Sequence, residues 1–425
     1  MIDGARLPRL LHGTAGRPLS LEQHEETFRS GFRTSSLVDE LEASGLTGRG
    51  GAAFPTAIKA RFIREQRGHH KYVVVNAMEG EPASHKDQTL LSTNPHLVLD
   101  GAEILASIVG ANRVAIAVAR DNPTVVNHVK RALHERERRS KRGAELELHT
   151  PPWRYVAGEE SALVHWLDDN ESLPQYRPRR PHVLRIGHDP VMLDNAETCA
   201  NVGLIGRYGA QWFRQLGPAN SPGTQLISIS GAVARPTVLE VVLGTPLRQV
   251  LAAAGADPDP QALLLGGYGG TWLAGEDLDV GYDNASLQTK NASLGAGVIV
   301  VLPRQGCGLV ETQRVVRWMA NESARQCGPC AFGLPALAED LAHLAGPARD
   351  SQDALMRLIQ RAGVIEGRGA CHHPDGVVRF VRSALQVFRH DVEAHVRGSA
   401  CAGSRSNTHY ATVPTLEREK ELVWE

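Results

Sequence analysis

Cys327-Gly328-Pro329-Cys330 sets two thiols in a C-x2-C spacing, and Cys371-His372-His373 follows 41 residues after Cys330. Thiols so spaced suit three chemistries. A redox dithiol needs a strand feeding a helix whose N-terminus lowers the thiol pKa. A zinc site needs a second pair of ligands, which Cys371, His372 and His373 offer. The third reading is a set of structural thiols in a core. The segment before the motif, VETQRVVRWMANESA, carries a helical rather than a β period, which speaks against the dithiol. Six cysteines in 425 residues are too sparse for a disulfide scaffold, and Cys199, Cys307 and Cys401 lie outside the pattern and read as unligated.

A second group of residues suits an anion. GLTGRGGAAFPTAIKARF (45–62) puts Gly48, Gly50 and Gly51 around Arg49, with Lys59 eight residues after the last glycine. Glycines let backbone N–H groups close on an anion, and Arg and Lys add charge-assisted contacts. The spacing is neither G-x-G-x-x-G nor G-x4-G-K-[ST], so it is either a structural turn or a phosphate cradle of another kind. NAMEGEPASHKD (76–87) brings Glu79 and Glu81 to the end of an apolar run, and YVAGEESAL (155–163) sets Glu159 and Glu160 between a glycine and a helix. Such carboxylates are either solvated turns and acidic first helical turns, or the polar rim of a nucleotide or flavin site.

These groups need a scaffold. YVVVN (72–76) and RVAIAV (113–118) read as buried strands, and 95–110 and 123–139 read as helices, which predicts an α/β layer with a mostly parallel sheet. From 151 to about 221, helices are interrupted by a Pro/Arg-rich loop at 173–190. Residues 222–303 turn Gly/Val/Leu-rich, with strands in QLISISGAV, TVLEVVLGTPL and LGAGVIVVLP and one helix, LRQVLAAAG. From 309 to 398 four helical stretches with short links predict a bundle, and the residues after Gly398 read as a flexible tail.

Taken together, GLTGRGGAAFPTAIK, VVNAMEGEPASHKD and YVAGEESAL resemble the flavin-binding subunit of respiratory complex I and the diaphorase subunits of NAD-linked hydrogenases and formate dehydrogenases. The resemblance spans roughly residues 20–395. It implies an FMN- and NAD(P)H-binding α/β domain (1–221) and a small β-grasp module of the soluble-ligand-binding (SLBB) type (222–304). A helical iron–sulfur domain (305–398) and a tail (399–425) follow. By motif position, Gly48, Arg49, Gly50, Gly51 and Lys59 meet flavin or dinucleotide, and Asn76, Glu79, Tyr155, Gly158, Glu159 and Glu160 complete the pocket. Glu79 and Glu160 take the catalytic, orienting parts. Asp194, Asn195 and Thr198 lie near the FMN phosphate, and Phe54 and Phe62 match the aromatics that sandwich adenine, or are ordinary core. Met78, Asp194 and Ala53 depart from the family's acid, asparagine and glycine.

The resemblance also implies an iron–sulfur cluster on Cys327, Cys330 and Cys371. Ala324 occupies the first ligand position, leaving a 4Fe–4S cluster with a non-Cys fourth ligand, a 3Fe–4S cluster, or none. His372 and His373 are candidates for the fourth ligand. The function implied is an FMN-dependent NAD(P)H oxidoreductase that feeds a small acceptor such as a ferredoxin, alone, as a homo-oligomer or in a larger redox complex. The alternative is a flavin- or nucleotide-binding relay or interaction module without NADH dehydrogenase activity.

Composition narrows the setting. With 22% charged residues, 42% hydrophobic residues and a net charge of -1, the chain reads as a globular protein and not a nucleic-acid binder. Two basic clusters, Arg136–Arg142 and Arg177–Arg180, read as solvated faces or as docking patches for an acidic partner. The absence of an apolar leader or a membrane-length apolar run predicts a cytoplasmic protein.

Overall fold

The computed structural model describes residues 9–12, 17–28, 36–139, 143–176, 183–346, 350–399, 401–406 and 408–414. The two β-branched runs are strands β1 (Tyr72–Ala77) and β2 (Arg113–Val118), paired in parallel with Tyr72 opposite Arg113. β3 (Glu145–His149) extends the parallel ladder beyond β2. On the other side of β1 lies β5 (Asp189–Asn195), again parallel, and β4 (Leu184–Ile186) closes that edge antiparallel, giving the order β3-β2-β1-β5-β4. β5 falls partly within the segment read as a loop. Its register matters most for function: Asn76 pairs with Asn195, so the loops leaving β1 and β5 emerge side by side.

Helix Pro95–Val109 is buried on nearly every side and packs on helix Ala196–Tyr208. A Cβ on Gly101 would fall 1.6 Å from the carbonyl oxygen of Cys199, so glycine there permits the backbones to touch, and Cys199 is part of that crossing. Beneath the helices, buried Asp100 meets Arg136 (2.6 Å), Arg207 (2.7 Å) and His24 (2.7 Å). Arg136 is therefore tied into the interior and is no part of a docking patch. Lys141, Arg142, Arg177, Arg179 and Arg180 lie outside the described residues.

The second sheet has the order β7-β6-β10-β8-β9, with β6 (Thr224–Gly231), β7 (Thr237–Val242), β8 (Pro260–Leu265), β9 (Thr271–Ala274) and β10 (Val298–Pro303). β6 and β10 are parallel and the other pairs antiparallel. Helix Leu247–Ala253 lies on one face in a core with Ile227, Leu263 and Ile299. β8 is a mostly apolar run without alternation, because it is buried along nearly its whole length.

The C-terminal region is helical, with helices at Gly308–Asn321, Leu334–Ala345, Ser351–Ile365, His373–Val387 and Arg389–Val396. The last of the four expected helices breaks at Phe388, whose ring sits against Gly308 and Trp272. Cys327-Gly328-Pro329-Cys330 leads into a π-helical turn, Pro329–Gly333, following a helix and not a strand, so the dithiol context is absent. The described part of the tail makes contacts: the Tyr268 hydroxyl donates to the Thr412 carbonyl, His409 pairs with Glu311 (3.2 Å), and Ala411 is buried.

Candidate functional site

A cleft of ≈ 520 Å³ opens over the C-terminal ends of β1 and β5. Its floor is the glycine turn Gly48–Gly51 with Asn76, Asp194 and Asn195, and its side is Tyr155–Glu160. Gly266, Gly269, Gly270 and Gly295 of the second sheet and Met319, Cys371, His373 and Arg379 of the helical region form the roof. The expected residues Gly48, Arg49, Gly50, Gly51, Phe54, Lys59, Asn76, Glu79, Tyr155, Gly158, Glu159, Glu160, Asp194 and Asn195 thus come together. Thr198 and Phe62 do not line the cleft. Thr198 is buried and accepts the Arg49 backbone N–H at 2.8 Å, which anchors the turn from below. Phe62 is partly buried and packs on the hydrophobic core beside the first sheet. Phe54 stands 51% exposed at the mouth.

The backbone of the turn is built for close approach. Gly51 has φ +114°, and Ala53 sits at φ +51°, a left-handed conformation that an L-residue adopts at a cost of about 1 kcal/mol. That conformation accounts for the glycine of the family pattern at position 53. Glu79 is also left-handed, φ +44°, in the loop after β1. Its carboxylate accepts from the Ser84 hydroxyl (2.8 Å) and from the N–H groups of Asp87 (2.9 Å) and Gln88 (3.0 Å), fixing the start of helix Lys86–Leu91.

Charges are densely paired. Lys59 Nζ lies 3.4 Å from Glu160 and 3.7 Å from Asp194 and donates to the Leu193 carbonyl. Burial opposes its charge, but Asp194 and Glu160 outweigh burial and hold the ammonium above its ordinary value. Asp194 is pushed up to about 6 by burial, against the pull of Lys59. Glu79 is pushed up to about 7 by burial and by Asp87. Glu81, which accepts the Tyr268 N–H at 2.8 Å, is pushed up to about 7 by burial alone. Among the described residues, buried Asp194 Oδ2 and Glu81 Oε1 have no hydrogen-bond partner. Glu159 caps helix Glu160–Asp169, accepting from Ser161 (2.9 Å) and Ala162 (3.1 Å), and Asn76 donates to the Gly158 carbonyl at 2.8 Å. The guanidinium of Arg49 bonds Thr47 and the Pro222 carbonyl, so the contribution of Arg49 to the turn is its backbone.

Sequence reasoning missed Lys86 and Asp87, though both stand in the quoted acidic motif. Lys86 is buried and joins Asp87 (2.8 Å), Glu197 (3.1 Å) and Asn195 (2.9 Å) under the loops of β1 and β5. A lysine within the polar run Ser84–Thr89 carried no signal of burial. Arg379 and the glycines of the second sheet were missed because they come from distant parts of the chain. LGGYGG and SLGAG were their only trace.

The thiols gather beside the roof. The Cys330 thiol is pushed up by burial and then by the neighbouring Cys327 and Cys371. Cys371 is pushed up to about 11 by burial. The Ala324 methyl offers no donor. His372 is exposed, whereas His373 is buried, bonds the Met319 carbonyl through Nε2 (2.9 Å), and leaves Nδ1 without a partner among the described residues. Tyr155 links the walls: its N–H donates to Glu322 at 3.1 Å, and its ring meets Trp318 (5.3 Å) and His373 (5.4 Å).

Comparison with known proteins agrees with this arrangement. Residues 41–204 match the Nuo51 FMN-binding domain, and residues 311–395 match the NADH-ubiquinone oxidoreductase-F iron–sulfur binding region. The chain is 32% identical to the F subunit of the NADH-quinone oxidoreductase of Streptomyces coelicolor over 86% of this chain and 84% of that protein. It is 29% identical to HndC, a subunit of the NADP-reducing hydrogenase of Solidesulfovibrio fructosivorans, covering 86% and 77%. A crystal structure of an NAD+-reducing nickel–iron hydrogenase superposes with a TM-score of 0.78 at 28% identity, over 90% of this chain and 65% of the hydrogenase chain. Fold and site define an oxidoreductase of the NADH dehydrogenase type, with an FMN-binding domain and an iron–sulfur-binding region. The chain belongs to the family of the complex I 51 kDa flavoprotein, the F subunit of NADH-quinone oxidoreductases.

Proposed function

We propose that the chain is an FMN-dependent NAD(P)H oxidoreductase that passes electrons from the dinucleotide to a small acceptor such as a ferredoxin, alone or as a subunit of a larger redox complex. One juxtaposition carries the reading: Cys371 and His373 line the same cleft as the glycine turn, Glu79 and Glu160. The cleft fits a flavin phosphate in its chemistry. Gly48–Gly51 present backbone close to the floor, and Lys59 and Lys86 supply positive charge. FMN, when bound, supplies acceptance of a hydride from NAD(P)H and its division into single electrons.

The residues of this chain bind and orient. Glu79 holds the loop after β1 in its left-handed turn, and Asn76 and Asn195 fix the adjacent strand ends. Glu160, half exposed beside Lys59, faces the mouth, where a carboxylate stabilises positive charge gained by a nicotinamide ring that loses hydride. Phe54 offers a stacking face for adenine with no second aromatic from Phe62. Cys327, Cys330 and Cys371 would hold the iron. His373 Nδ1, buried and unpartnered, suits the vacant ligand place better than exposed His372. The β7-β6-β10-β8-β9 sheet with helix Leu247–Ala253 on one face fits a β-grasp module, and the helical region a bundle carrying the cluster.

Anaerobic purification, FMN and iron analysis, and stopped-flow mixing with NADH and with NADPH test the reading. Flavin bleaching by either dinucleotide, followed by reduction of a ferredoxin or a dye, is expected. Bound FMN that neither dinucleotide bleaches would reduce the protein to a relay, and no flavin uptake at all would leave only an interaction module. Among the described residues no helix is long and apolar enough to cross a membrane.

A further inference from the structure

Three ligand-type side chains meet away from the cleft. Cys307 precedes helix Gly308–Asn321, His395 lies in the last turn of helix Arg389–Val396, and Cys401 opens the short turn Ala402–Arg405. Their ligand atoms all lie within 4.8 Å of one another, with Cys307 Sγ 3.8 Å from His395 Nε2. Cys307 and His395 are buried, at 3% and 4% exposure, and Cys401 is partly buried. We propose that Cys307, His395 and Cys401 bind one zinc ion, separate from the iron site, which clasps residues 401–414 to the helical region.

The geometry suits that ion. Ligand atoms around tetrahedral zinc stand about 3.5–3.8 Å apart, given Zn–S and Zn–N bonds of about 2.3 and 2.0 Å. A sulfur–nitrogen gap of 3.8 Å needs only a small contraction. Two thiolates and an imidazole form a borderline-soft donor set that zinc favours over magnesium or calcium. Binding replaces the two thiol protons, which leave to solvent, so the site becomes neutral overall. The fourth position falls to water or to Asp391, whose charge acts on both Cys307 and His395.

The surroundings hold the three residues in place. His395 is buried at the end of helix Arg389–Val396, with its ring Nε2 turned to Cys307 Sγ. Ser404 donates to the Cys401 carbonyl through N–H (3.1 Å) and hydroxyl (2.7 Å). A Cβ on Gly403 would fall 2.4 Å from the Gly306 carbonyl carbon and 2.5 Å from the Cys307 nitrogen, so the strap presses on the turn that carries Cys307. Cys307 and Cys401 each stood outside the C-x2-C pattern, and nothing in their sequence spacing, 94 residues, signals a shared site.

Metal analysis of the full-length protein, purified without chelator from zinc-supplemented cells, tests the assignment. About one zinc per chain is expected, falling to about a tenth of that in Cys401→Ala and in His395→Ala. Cys401→Ala removes a partly exposed thiol, so its reading stands even where His395→Ala fails to fold. A Cys327→Ala/Cys330→Ala variant should lose iron and keep zinc. Cobalt substitution should give the thiolate charge-transfer and visible bands of a tetrahedral site. Stripping zinc with a chelator should speed hydrogen exchange at Tyr410–Val413. Wild-type protein lacking zinc, zinc retained in Cys401→Ala, or an intact mass showing a Cys307–Cys401 disulfide would each overturn the proposal.

Discussion

Glu81 offers a measurable consequence of placing carboxyls at a buried joint. Its side chain is 9% exposed, with one oxygen bonded to the Tyr268 N–H and the other unpartnered. Burial pushes its carboxyl up to about 7 from an ordinary value of 4.5. Because the folded-state value is the higher one, the unfolded chain releases this proton first. The group leaves stability unchanged well below pH 4.5, and its ionisation progressively destabilises the fold as pH rises towards 7. The gap between the two values corresponds to a penalty of about 3 kcal/mol at alkaline pH, most of it appearing between about pH 5 and pH 8. Glu81→Gln keeps an acceptor for Tyr268 and removes the charge. In urea denaturation of the flavin-free proteins, the variant should gain about 2 kcal/mol over wild type between pH 5 and pH 8. Equal differences at the two pH values would refute the argument, since they would mean that the carboxyl titrates at its ordinary value.

Other outcomes follow from the same description. Ala324→Cys should raise iron per chain and slow its loss in air, measured by iron assay and by EPR of the reduced protein, because a fourth thiolate closes the site. Phe54→Ala should leave stability within about 0.5 kcal/mol and raise the KM for dinucleotide roughly three- to tenfold, whereas Phe62→Ala should cost roughly 2–4 kcal/mol of stability and leave that KM nearly unchanged. Asp100→Asn should destabilise by about 3–5 kcal/mol at pH 7 by removing the buried charge that Arg136 and Arg207 share. Burial opposes the Asp100 charge, but Arg136, His24 and Arg207 hold its carboxyl well below the usual range. That stabilisation is complete above the ordinary carboxyl value and is lost as pH falls towards the folded one, so the two denaturation curves should converge in acid.

The parallel sheet was legible because β1 and β2 are uninterrupted β-branched runs, a pattern that burial on both faces imposes. β5 escaped because Pro190 opens it and an Arg-rich loop precedes it, while its pairing partner β1 lies more than a hundred residues earlier. The floor of the cleft was readable for a related reason: the glycine turn and the loop after β1 are contiguous motifs. The roof was not, since Gly269, Met319 and Arg379 acquire their role only when three regions meet. Phe54 and Phe62 show the limit of position-matching. They are eight residues apart on one helical segment and its approach, yet one faces the mouth and the other the core.

The division of the cleft between floor and roof separates two properties that a redox protein must otherwise compromise. In the proposed function the flavin rests on the sheet side, where Asn76, Asn195 and Lys86 tie the strand ends together. Electrons would leave by the helical side, where Glu322 accepts the Tyr155 N–H only two positions before Ala324. Substitutions on the helical side, such as Ala324→Cys, therefore leave untouched the residues that tie the strand ends together beneath the cleft.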